Sequence, residues 1–151
     1  MFLELANCNT KAPWEKLGTD LFEVDGEHLL LICDCFSKYP TVTPLHATTS
    51  EKVTEEIRKA VSLFGRPDEI VSDNGPQYIG KPFQDFVHKW GIQHTTSFPR
   101  FPQSNGFLER QVQTIKKITK KCKREKHSIH LAMFDFARAQ STPSCHHRQR
   151  C

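Results

Sequence analysis

None of the six cysteines, Cys8, Cys33, Cys35, Cys122, Cys145 and Cys151, forms a CxxC pair. The commonest thiol spacing of zinc and redox motifs is therefore missing. Cys33 and Cys35 are i and i+2 in a strand-like run and read as two small residues on one sheet face. Cys145, His146, His147 and Cys151 carry zinc-type side chains, but in an irregular tail. Long apolar runs are also lacking. The longest, Leu29 to Cys33, is far below the roughly 20 residues of a membrane-spanning helix, and no membrane partner is expected. Met1-Phe2-Leu3-Glu4 has neither a basic region nor a long apolar stretch, which argues against a secretory leader. The expectation is a nuclear or cytoplasmic protein with reduced thiols, not a secreted one. Internal repeats and low-complexity tracts are absent.

What is present suits one domain. The chain has 151 residues, 37% of them hydrophobic, with eleven Phe. At this size about two-thirds of the unfolded surface can be buried. The net charge of +4 is mild, but its distribution is not. Arg110 to Lys126 holds eight basic residues and one acid, Glu125, so this segment is +7 and the remainder about −3. Such asymmetry points to a polyanionic partner.

Residues 1–12 read as an irregular lead-in. Leu17–Val24 and His28–Phe36 read as strands joined at Asp25-Gly26, a hairpin signal. Tyr39–Leu45 gives a third strand, with Pro40 and Pro44 favouring a sheet edge. Ser50 is a suitable helix cap, and Val53, Ile57, Ala60, Val61 and Phe64 form an apolar face ended by Gly65. Asp68–Ser72 reads as a short buried strand ended by Asn74-Gly75-Pro76. Phe83, Phe86, Val87 and Trp90 mark a second helix stopped at Gly91, and Ile92–Thr96 a fifth strand. After a loop at Pro99 and Pro102, Ser104 can cap a long helix to about Lys126. Its apolar face is Leu108, Val112, Ile115, Ile118 or Thr119, and Cys122. Ile129, Met133, Phe136 and Ala137 suggest a last helix, and Pro143 ends regular structure. A meander followed by parallel crossovers predicts an α/β fold, a mixed five-stranded sheet with helices on both faces.

Three acids stand out. Asp20 sits inside an apolar strand, where a charge is costly unless compensated. Asp73 lies at the carboxyl end of the fourth strand, where ligand sites gather in such sheets. If the two strands are neighbours, the carboxylates face one another and a divalent cation would relieve their repulsion. Glu109, Gln113, Lys116 and Lys120 fall at i, i+4, i+7 and i+11, one stripe beside the apolar face of the long helix. An acid that binds metal beside lysines that bind phosphate is what a nuclease-like site needs. Taken singly, each has an ordinary explanation. Asp20 can be a salt-bridged strand residue, Asp73 an Asx turn, Glu109 a surface acid and the basic run a solvated face.

Together the motifs resemble the catalytic core of retroviral and gypsy-type retrotransposon integrases. Those that carry the likeness are Thr19-Asp20-Leu21-Phe22, Ser72-Asp73-Asn74-Gly75-Pro76-Gln77, Pro102-Gln103-Ser104-Asn105-Gly106 and Glu109-Arg110. Residues 74 to 108, 35 in all, separate Asp73 from Glu109, the spacing of the DD(35)E family. Pro13-Trp14-Glu15-Lys16 and Phe36-Ser37-Lys38-Tyr39-Pro40 also resemble gypsy-type elements. The match runs over 13–143, with 144–151 as an irregular tail. The resemblance implies a ribonuclease-H-like fold and two Mg²⁺ or Mn²⁺ ions held by Asp20, Asp73 and Glu109, about 3.5–4 Å apart. It implies DNA 3′-end processing and strand transfer, with element ends and target DNA as partners. It makes Lys116 a contact to DNA, with Lys120 and Gln113 on the same stripe, and places Gln103 and Asn105 in a loop flanking the site. A homodimer or higher oligomer is expected, since Leu63 and Leu131 exceed what one apolar face of their helices needs.

The likeness has gaps. No zinc-binding His-His-Cys-Cys domain precedes the core in this sequence, no basic β-barrel follows it, and the tail reads as truncated or frame-altered. A second reading follows: a domesticated or decayed fragment that binds DNA or protein without catalysis. A cellular nuclease of the same fold is a third, against which the Pro-Gln-Ser-Asn-Gly loop argues.

Overall fold

The apolar run Leu29–Cys33 is buried on both sides because its strand lies inside a sheet. The computed structural model describes residues 10–96 and 106–141, without the side chains of 106–109, 112, 140 and 141. Strands β1 (Lys16–Val24) and β2 (Glu27–Asp34) form an antiparallel hairpin. Its turn residues Asp25 and Gly26 both have positive φ, 52° and 78°, as the tight turn matching strand twist requires. Strand β3 (Pro40–Leu45) pairs with β2, and β4 (Glu69–Ser72) and β5 (Gln93–Thr96) add in parallel beyond β1. The order is β3-β2-β1-β4-β5, so β3 with its two prolines is an edge as expected.

The helices are α1 (Ser50–Phe64), α2 (Pro76–Ile79), α3 (Lys81–Trp90), α4 (Gly106–Glu125) and α5 (Ile129–Ser141). Two details differ from the sequence reading. The cap of α1 is Thr49, not Ser50: Thr49 is extended (φ −72°, ψ 155°) and its Oγ1 accepts from the Lys52 N–H. Ser50 is already helical, and its hydroxyl donates to the Gln77 carbonyl at 2.7 Å. The stretch after Asn74 is a short helix rather than only a turn, with Pro76 at its start, where a missing N–H costs nothing. Gly65 and Gly91 end α1 and α3 as anticipated, at φ 100° and 66°. Ser104, Pro99, Pro102 and Pro143 lie outside the described residues.

Strand alternation divides the core between the two faces. Leu17, Leu30, Ile32 and Ile70 pack with Val53, Ile57 and Val61 of α1, Tyr78 of α2 and Phe83, Phe86 and Val87 of α3. On the other face Phe22, Val24, Leu29, Leu31, Cys33 and Val42 pack with Ile115 of α4 and Met133 of α5. Helices thus cover both faces, and α4 lies on the side from which Phe22 projects. Phe64, counted in the apolar face of α1, is exposed instead and stacks on Trp14 with ring centroids 4.9 Å apart. No helix among the described residues is long and apolar enough to cross a membrane.

Candidate active site

Strands β1 and β4 are parallel neighbours whose register ends at Gly18–Val71. Asp20 and Asp73 each follow that pair by two residues, on strands whose axes run about 4.8 Å apart. By alternation Asp20 shares the face of Phe22 and Val24, and Asp73 falls opposite Ile70 and Ser72, toward the same side. Register and alternation therefore put the two acids on the same face of the sheet, the face that α4 covers. Asp20 is half-buried and its carboxylate accepts from the Leu21 N–H at 2.9 Å. Asp73 is exposed and accepts from the Gly75 N–H at 2.9 Å. The ordinary Asx-turn reading of Asp73 thus holds alongside the functional one. Gly75 permits it: a Cβ there would lie 2.9 Å from Asp73 Oδ1.

Helix α4 crosses β1 in a definite direction. Lys116 Nζ lies 5.8 Å from the Phe22 ring centroid. Lys123 Nζ, one heptad later, donates to the Val24 carbonyl at 3.0 Å and pairs with Glu27. One heptad earlier than Lys116, Glu109 falls about 10 Å back along the helix axis, the direction in which Asp20 precedes Phe22. The backbone of Glu109 therefore lies on the Asp20 side of Lys116 along the helix. Its side chain is outside the described set, as are Gln103 and Asn105. Among the described residues no group of three His, Cys, Asp or Glu side chains is placed to hold a metal. The donor set itself fits one: adjacent carboxylates offer the hard oxygen ligands that Mg²⁺ and Mn²⁺ prefer.

The predicted basic stripe also comes together. Gln113, Lys116 and Lys120, joined by Lys117, line a cleft of about 310 Å³ whose other wall is Glu23, Val24 and Asp25 at the β1–β2 turn.

One residue beneath the acids was not anticipated. Tyr78, on α2, is 1% exposed, and its hydroxyl is 3.1 Å from Thr19 Oγ1. Burial pushes its phenol well above the ordinary value, and the negative charges of Asp20 and Asp73 push further. Both acids are thus within electrostatic reach of one hydroxyl. The available signal was a Tyr, one of only two in the chain, two residues after a proline in a polar turn.

Comparison with known proteins identifies the family and the fold. The model of the integrase core domain family matches residues 11–102. The Gag-Pro-Pol polyprotein of squirrel monkey retrovirus is 41% identical over 83 residues, covering 55% of this chain and 4% of the polyprotein. A Tf2 transposon polyprotein of Schizosaccharomyces pombe is 30% identical over 116 residues, covering 72% and 9% respectively. The chain thus spans less than a tenth of these relatives. Among solved structures, the catalytic core domain of HTLV-2 integrase in complex with magnesium, in a trimeric form, superposes with a TM-score of 0.64. It is 24% identical and covers 84% of each chain. The fold is the ribonuclease-H-like one, and the chain belongs to the integrase core domain family.

Proposed function

We propose that residues 13–143 form the catalytic core of a DNA-joining enzyme that trims DNA 3′ ends and transfers them to a target strand in the nucleus or cytoplasm. The observation that carries this reading is that Asp20 and Asp73 each follow by two residues the last registered pair, Gly18–Val71, of two adjacent parallel strands, on the face covered by α4, the helix that bears Glu109 and the lysines. Asp20, Asp73 and Glu109 would hold two Mg²⁺ or Mn²⁺ ions; when bound, these stabilise charge on the attacking and leaving oxygens of an in-line displacement. The HTLV-2 relative bound to magnesium supports that assignment. The protein groups only ligate and position, so water serves as nucleophile in trimming and a DNA 3′-hydroxyl in joining, with no covalent enzyme intermediate. Lys116, Lys120 and Gln113, with Lys117, bind the phosphate backbone beside the acids. Gln103 and Asn105 flank the reacting strand.

The deciding experiment is strand transfer on a labelled DNA end with Mn²⁺ or Mg²⁺. Asp73→Asn, nearly the same shape without the charge, abolishes cleavage and joining while circular dichroism stays unchanged. DNA binding by a wild-type chain that never cuts would instead make it a non-catalytic binding module.

A further inference from the structure

Two sets of hydrogen bonds that meet at Tyr78, one at its hydroxyl and one at its backbone carbonyl, join the residue before Asp20 to the residue before Asp73, on the sheet face away from α4. Thr19 Oγ1 and the Tyr78 hydroxyl are 3.1 Å apart, and both residues are buried. The Tyr78 carbonyl accepts from Gln84 Nε2 at 2.7 Å. The same amide nitrogen is 3.1 Å from His94 Nδ1, and His94 Nε2 is 2.7 Å from Ser72 Oγ. Ser72 Oγ donates to the Asp73 carbonyl at 2.9 Å. One proton assignment satisfies the set: Gln84 donates to both acceptors, and His94 is neutral with its proton on Nε2, donated to Ser72. The brace runs through β1, α2, α3, β5 and β4.

Its position explains its use. The β1–β4 backbone ladder ends at Gly18–Val71, just before the acids. Asp20 and Asp73 lie two residues past that last registered pair. Thr19 and Ser72, the next residue on each strand, are the two ends of the brace. Side-chain bonds thus link the two strands just past their last registered pair, in a partly buried setting.

We propose that Tyr78 is a positioning residue: its hydroxyl holds Thr19 beside Asp20 while its backbone carbonyl, through the Gln84–His94–Ser72 bonds, is tied to the strand end that carries Asp73, and together they set the spacing of the two carboxylates for a divalent cation. The inference rests on the metal-binding reading above. A phenylalanine at 78 would fill the same core volume next to Phe83, whose ring centroid is 5.4 Å away. What it would lose is the hydroxyl alone.

The test is Mn²⁺ titration of the full 151-residue chain, followed by the paramagnetic resonance of free Mn²⁺, with melting temperature measured beside it. Tyr78→Phe weakens Mn²⁺ binding about five-fold or more, the worth of one buried hydrogen bond, at nearly unchanged melting temperature. Thr19→Val does the same, Thr19→Ser retains affinity, and the Tyr78→Phe/Thr19→Val pair is no worse than either alone. Should Tyr78→Phe unfold the chain, the Thr19 pair of variants decides. Unchanged affinity in Tyr78→Phe and Thr19→Val overturns the inference while leaving the metal site standing. A wild-type chain whose Mn²⁺ binding is nil or insensitive to Asp20→Asn overturns the metal reading and this inference with it.

Discussion

At the residue scale, His94 shows how a side chain's surroundings fix its chemistry. Its ring packs edge-on against Phe83 at 4.9 Å, and its two nitrogens face Gln84 and Ser72. Burial holds its pKa below the usual 6.5. The unfolded chain then binds a proton that the folded chain resists between that ordinary value and the lower folded one. Stability from this residue is complete above about pH 6.5 and falls as pH drops through the lowered value. Thermal melts from pH 7.5 to 4.5 of the wild type and His94→Gln check this: the variant loses the part of the acid-side decline that belongs to His94. A decline identical in both would show that His94 stays uncharged in neither state preferentially. Neither His94 nor Tyr78 was legible in the sequence, since a lone polar residue in Gln93-His94-Thr95-Thr96 or after Pro76 has no period to reveal a buried partner. The three acids stood out in the sequence because their spacing and flanking residues resemble the family pattern. That pattern also contains residues outside the site. Asp34, buried at the end of β2, accepts from the N–H groups of Trp14, Phe36 and Ser37 and from the Ser37 hydroxyl. It ties together the two motifs, around Trp14 and around Lys38, that resembled gypsy-type elements.

At the scale of elements, α4 matters most, because it carries the third acid and the lysines on one helix held over β1. Its anchor is Ile115, fully buried against the sheet. Truncating Ile115→Ala removes a packed side chain and leaves a cavity, at a cost of about 2–5 kcal/mol in denaturant unfolding. A loss below about 1 kcal/mol would mean that α4 is loosely docked. The lysines on the outer stripe should act mainly through phosphate contacts. Lys116→Ala with Lys120→Ala should make the slope of log affinity against log salt shallower by about 1.8, two contacts at roughly 0.9 each. Fluorescence anisotropy on duplex DNA over a salt series measures it, and an unchanged slope would assign DNA binding to another surface. Elements with a strong period were readable: the strands, α1 and α3 with their glycine stops, and α4 and α5. The four-residue α2 was not, because one helical turn shows no periodicity, and the α1 cap was misplaced by one because Thr49 and Ser50 are both good capping types.

At the scale of the whole molecule, under the proposed function each chain would bring one set of three acids, whereas joining both ends of a DNA element to a target would require two sets acting together. One chain would then need at least a second copy, and a self-complementary surface is the simplest way to recruit it. The exposed apolar residues show where such a surface would lie. Leu131 and Phe134 on α5 are 61% and 51% exposed, and Leu63 on α1 is 79% exposed. Exposed apolar residues are common on any protein and carry weight here only as near neighbours on one helix: Leu131 and Phe134 are i and i+3, so they share a stripe. The expected result is a dimer in sedimentation equilibrium at high micromolar concentration. Leu131→Glu with Phe134→Glu should place like charges across that contact and shift the chain to monomer, with far-ultraviolet circular dichroism unchanged. Single-end strand transfer should survive in the monomer, because all three acids of one set belong to one chain, while paired-end products should disappear. A wild type that stays monomeric at every concentration would remove this surface from the assembly. A glutamate pair that leaves the dimer intact would move the contact elsewhere, to α1 and Leu63.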